Sequence, residues 1–154
     1  MNHPLKLIAI AICLALPGWT MAADDNPDED AAHVRHALME VMGWNMKTVA
    51  AMSTGKAPFD QGRAEEHGKR LAALGGMIAD AFARDTSGAD LSRPTKALPA
   101  IWQNQADFEM KAAKLVEAAN AYAAAAGESE AAARKAFIAV GGSCKGCHED
   151  YKSE

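Results

Sequence analysis

A chain of 154 residues with 16 basic and 20 acidic side chains, formal charge −4, is one domain's worth of sequence and has no basic excess for nucleic acid or an anionic membrane. Hydrophobic residues reach 49% while aromatics stay at 6%; alanine is abundant and β-branched runs are missing. That composition excludes a strand-rich fold and favours helices throughout.

Residues 1–23 read as a cleaved secretory signal peptide. His3 and Lys6 precede an apolar run from Leu7 to Leu16, Pro17 and Gly18 break it, and Thr20-Met21-Ala22-Ala23 offers cleavage after Ala22 or Ala23. The run is too short for a stable membrane anchor. Cys13 lies inside it without a small residue before it, so it is not read as a lipid-attachment site. The mature chain, residues 24–154, is expected to be a single exported domain with no membrane anchor. Loss of Lys6 with the leader takes its charge from −4 to −5.

Asn26-Pro27-Asp28-Glu29 opens the first predicted helix with a capping asparagine, proline at the first helical position and acids at the positive end of the dipole. It runs to about Met52, before a Ser-Thr-Gly-Lys-Ala-Pro breaker at 53–58. Val34, Leu38, Val41, Val49 and Met52 form one stripe, interrupted by Asn45; Met39, Met42, Met46 and Val49 form a second. Asp60 caps the second predicted helix, which carries Leu71, Leu74, Ile78 and Phe82 and ends near Ala83. Gly75-Gly76 weakens it by roughly 1 kcal/mol per glycine and permits close approach of another backbone. Residues 84–98 form a polar, turn-rich connection. Pro99 opens the third helix, with Ile101, Phe108, Ala112, Leu115, Ala119 and Tyr122 near helical spacing until Gly127. Ser129 caps the fourth, whose stripe is Phe137, Val140, Cys144, Cys147, His148 and Tyr151. Four helices with two short connections and one long one predict an all-α, antiparallel up-and-down four-helix bundle.

The fourth helix contains Cys144-Lys145-Gly146-Cys147-His148. C-x-x-C-H is the pattern of covalent c-type haem attachment: each thiol adds to a haem vinyl group and the histidine ligates the iron. On a helix, positions i, i+3 and i+4 share a face, so both sulfurs and the imidazole can address one porphyrin. The competing readings are half a zinc site and a dithiol redox pair. Zinc needs four ligands, and the remaining cysteine, Cys13, leaves with the leader. A thioredoxin-like dithiol needs a βαβ context, which the sequence lacks. One covalently bound haem c is the cofactor expected, with Gly141 and Gly142 placed where a porphyrin would leave no room for side chains.

With Gly141-Gly142-Ser143 leading into that motif and Glu149-Asp150-Tyr151 following it, the chain resembles the class II c-type cytochromes, the cytochrome c′ family and its low-spin methionine-ligated relatives. Gly55-Lys56-Ala57-Pro58-Phe59-Asp60 and Pro99-Ala100-Ile101-Trp102 are similar to the family's first turn and the start of its third helix, so the resemblance spans the whole mature chain. It implies a periplasmic monohaem bundle, often a homodimer packed through the first and second helices. It also implies that Arg35 lies beside a haem propionate and that Met39, four residues on, faces the vacant side of the iron. From the residues alone, Arg35 reads instead as a surface arginine pairing with Asp28 or Asp30. Lys152 departs from the family, many members of which carry arginine four residues after the haem histidine.

Met39 has two readings. As a thioether ligand it closes the iron and gives an electron carrier that meets redox partner proteins at an exposed haem edge; as an apolar plug it leaves a site open to nitric oxide or carbon monoxide. Met42 and Met46 are read as core, and His33, His36 and His67 as solvated surface. Trp44 and Trp102 are read as packing or interface groups, and Arg63 to Arg70 as a solvated face. No acid–base pair, phosphate loop or nucleophile motif stands out, so the expected function is electron transfer, with gas binding second, and not catalysis.

Overall fold

A computed structural model describes residues 26–154; the predicted leader lies outside them. The helices are α1 (Pro27–Ser53), α2 (Gln61–Gly76), α3 (Ile78–Ala81), α4 (Ala100–Gln103), α5 (Gln105–Glu128) and α6 (Glu130–Tyr151). α1 packs on α2 and α6, and α5 packs on the same two, closing a four-helix bundle in which α3 continues α2 and α4 leads into α5.

The predicted caps form. Asn26 accepts from the Asp28 backbone N–H at 3.1 Å, Asp60 from Arg63 at 2.9 Å and Ser129 from Ala132 at 3.2 Å. Gly55, at φ +73°, makes the left-handed turn that stops α1. Two helices predicted as continuous are divided. At Gly75-Gly76 helical propensity is lowest, and the Met77 N–H reaches back only to Leu74, at 3.1 Å. At Asn104 the backbone leaves the helical region, φ −130° and ψ 47°.

The buried face of α1 differs from the apolar stripes. Its core positions are Arg35, Leu38, Met42, Asn45, Val49 and Met52, whereas Val34 and Val41 are exposed. Polarity misleads here because both polar members find hydrogen-bond partners inside. Asn45 donates to the Val41 carbonyl at 2.8 Å, leaving its Oδ1 to face His67 Nδ1 at 2.8 Å. That fixes the tautomer: Nδ1 carries the proton and donates. His67, expected on the surface, is buried, with the Trp44 ring edge-on at 5.3 Å.

Burial, with Arg70 and Arg63 nearby, holds the His67 pKa below its usual 6.5, against a smaller opposing pull from Glu66. The unfolded chain therefore binds this proton more readily, so the contribution of neutral His67 is complete above about 6.5 and is lost as pH falls toward the depressed folded value. The thermal midpoint is expected to drop on acidification below that point, and less steeply in His67→Gln; coincident slopes in the two proteins would remove this assignment.

On the far side of the bundle α2 and α5 meet at Gly68, where an added Cβ would lie 2.9 Å from Tyr122 Cδ1 and 3.1 Å from Ala123 Cα. This is the closest approach the glycines of α2 make. Gly75 abuts Val116 as expected of the pair, but Gly76 faces open space. The small side chains Ala112, Ala119, Ala123 and Ala126 let α5 sit this close to its neighbours.

Candidate haem site

Cys144, Cys147 and His148 follow one another along α6 and line a single cavity of about 670 Å³, a volume within the range of cofactor-sized pockets. The α1 wall of that cavity includes Arg35, Met39, Met42, Gly43 and Met46; Leu71, Phe82, Phe108 and Leu115 fill in between. Residues 92–97 of the long connection line it too. They are held in place by the C-terminus: Leu98 N–H donates to the Tyr151 carbonyl at 3.1 Å, and Ser153 N–H to the Lys96 carbonyl at 2.9 Å. Ser92 N–H donates to Glu29 on α1, tying the other end.

The two cysteines are half-buried free thiols. Burial pushes both thiol pKa values up; at Cys147 the Lys111 ammonium opposes the shift. Burial, assisted by Lys152, pushes the His148 imidazole down, which keeps a ring nitrogen lone pair free near neutral pH. His148 also borders a second, open hollow formed with Lys145, Glu149, Lys152 and Ser153. Among the described residues no three His, Cys, Asp or Glu side chains gather as a metal-ion cluster.

Arg35 is not a surface arginine. It is 3% exposed, donates to Thr86 Oγ1 and to the Arg84 carbonyl, the latter at 3.2 Å, and its guanidinium lies over the rings of Phe82 and Trp102, 5.5 and 5.4 Å from their centroids. The anticipated partner Asp28 pairs with Arg84 instead. Arg35 Nε is buried with no hydrogen-bond partner, a donor left over beside the cavity. Burial outweighs the nearby Asp28 and Asp85 and moves the guanidinium pKa down from its usual value.

Met39 is half-buried on the same wall, so the spacing that put it on one face with Arg35 carries into the fold. Gly141 and Gly142 are not among the residues lining the cavity, and an added Cβ at either would meet no protein atom within 4 Å. Trp102 does pack, and its indole donates to the Phe82 carbonyl at 2.8 Å, which ties together the two rings that contact Arg35. Sequence reading missed Thr86, Lys111 and residues 92–97. Only the turn chemistry of the connection hinted at the last, because loop residues that line a cavity carry no periodicity.

The family model for cytochrome c′ matches residues 30–152. The chain belongs to the cytochrome c′ family. It is 32% identical over 148 residues to a cytochrome c′ of Cereibacter sphaeroides, covering 96% of this chain and 97% of the relative. The solved cytochrome c′ of Shewanella frigidimarina superposes with a TM-score of 0.73 at 35% identity, over 82% of this chain and 97% of that one. A ferrous variant of the Alcaligenes xylosoxidans protein, solved with bound NO, has a TM-score of 0.71 at 28% identity, over 82% and 97%.

Members of the family bind haem c, and the cavity suits such a group. It has apolar walls for a porphyrin, two thiols and an imidazole on one helix face, and an unpaired buried Arg35 donor for a carboxylate.

Proposed function

We propose that this is an exported, periplasmic monohaem cytochrome in which Cys144 and Cys147 hold one haem through thioether bonds and His148 ligates its iron. Arg35 would face a propionate, its Nε being the free donor. Bound there, the haem supplies a one-electron couple and an iron position for a small ligand. The chain supplies the rest. The methionine-rich wall of α1 in the same cavity as the C-x-x-C-H face of α6 carries this proposal. Met39, Met42, Met46, Leu71 and Phe82 offer no charge to an anion and no proton donor to a bound peroxide, but they accept an uncharged diatomic gas. The function we favour is therefore binding of nitric oxide or carbon monoxide on the Met39 side, in keeping with the related protein solved with NO.

Electron transfer is the second reading, favoured by one observation: the Met39 thioether lies on the cavity wall, where it could occupy the same iron position. Cys144 and Cys147 are only half-buried, so a haem attached there would keep an edge near the surface for redox partner proteins. Among the described residues no helix is long and apolar enough to cross a membrane. Val34, Val41 and Trp44 expose 53%, 47% and 57% of their surface along α1, which supports a homodimer packed through α1 and α2.

The absorption spectrum of the haem-loaded protein decides between the two. Broad high-spin bands that shift with carbon monoxide are expected. Met39→Ala should then raise the carbon monoxide association rate by about tenfold, equivalent to removing about 1.4 kcal/mol of steric cost. Sharp low-spin bands indifferent to carbon monoxide, and lost in Met39→Ala, would instead establish the methionine-ligated electron carrier.

A further inference from the structure

Lys111 crosses from α5 to the haem motif. Its ammonium donates to the Gly146 carbonyl at 3.1 Å and pairs with Asp150 on α6. It also approaches Asp107, one turn back on its own helix, at 3.6 Å. The same ammonium stands 5.5 Å from the centroid of the Tyr151 ring, and the Tyr151 hydroxyl donates to Asp107 Oδ2 at 2.7 Å. Only 21% of the lysine side chain is exposed, and it lines the cavity together with Cys147 and His148.

Partly exposed ion pairs contribute little to stability, and a lysine held by four groups loses rotamer freedom. The effect of these contacts is geometric. Gly146 immediately precedes Cys147 and Asp150 follows His148 by two residues, so one ammonium grips the backbone before this dipeptide and the side chain after it. Lys145, by comparison, pairs along the exposed surface of α6 with Glu149 at 3.5 Å and reaches no other helix.

We propose that Lys111 is a positioning residue for the haem motif: by bracketing Cys147-His148 through Gly146 and Asp150, it anchors α6 to α5 and sets the direction in which thiol and imidazole enter the cavity. This inference rests on the haem assignment made above. It carries an electrostatic consequence as well. The ammonium is a fixed positive charge on the cavity wall between two carboxylates. Without it Asp107 and Asp150 are left as unbalanced negative charges beside the haem motif, which favours ferric over ferrous iron and lowers the reduction potential.

The test compares wild type, Lys111→Met and Lys111→Arg as full chains matured in a host that exports the protein and attaches haem. In the haem-loaded protein, Lys111→Met is expected to exchange its amide hydrogens at 144–150 about tenfold faster. Its reduction potential should also fall. Lys111→Arg keeps a charge and a donor, so both quantities should move back toward wild type. A shift in potential that follows the charge separates positioning at the site from a general loss of packing. Haem-loaded Lys111→Met with wild-type exchange and potential would overturn the inference. If Lys111→Met is not recovered, Asp150→Asn removes one arm of the bracket; faster exchange at 144–150 supports the inference and unchanged exchange overturns it. A wild-type chain without covalent haem would overturn the haem assignment itself, and this inference with it.

Discussion

Cys144→Ala combined with Cys147→Ala will yield a chain whose intact mass under denaturing conditions is that of the polypeptide alone. The expected loss of covalent haem is complete, because the thioethers need a thiol at each vinyl group and the described chain has no other cysteine. Both thiols are half-buried on the same cavity, and burial keeps them largely protonated, so neither is a generally reactive surface thiolate. Their reaction depends on a vinyl group being delivered into the cavity. The single variants separate the two bonds: each should keep haem through the remaining thioether. The effect on the fold should be modest, since removing two partly exposed sulfurs creates little cavity volume compared with truncating a buried Leu or Phe. Haem that stays attached to the double variant in denaturant would remove the motif assignment altogether.

His148→Ala is expected to have the next largest effect, on the iron instead of the bond to the chain. Mass should still show attached haem, because the two cysteines are untouched. The ferric and ferrous absorption bands should both change, as the only imidazole carried by the motif is gone. His33 and His36 also border the cavity, but on α1, where His36 pairs with Glu40 at 3.0 Å. If one of them were the iron ligand, His148→Ala would leave the spectra unchanged. Added imidazole should restore the wild-type bands, since the hollow formed with Lys145, Glu149 and Lys152 gives solvent access to this position. Unchanged bands in His148→Ala would place the ligand elsewhere.

For Met39 the sequence and the fold agree. Its four-residue spacing from Arg35 puts both on one helix face, and the fold does bring both to the cavity. Arg35 itself could not be placed from local sequence, because its partners are Thr86, the Arg84 carbonyl, Phe82 and Trp102, roughly fifty or more positions away along the chain. The same holds for His67, which reads as a surface residue within a charged run. It becomes a core residue only because Asn45 from α1 meets it with a free amide oxygen. Helix ends behaved in the opposite way: Asn26, Asp60 and Ser129 cap as written, since a cap is a contract among three or four neighbouring residues.

The helical class, the starts of α1, α2 and α6 and the C-x-x-C-H face are legible in the residues alone, because periodicity, capping and motif spacing are local and follow from backbone geometry. Only the tertiary structure decided which polar groups go inside, how residues 92–97 close over the cavity and how Lys111 reaches the motif turn. These are contacts between segments far apart in the chain. Their energies depend on desolvation and on a partner being present, and neither is encoded in any single stretch of residues.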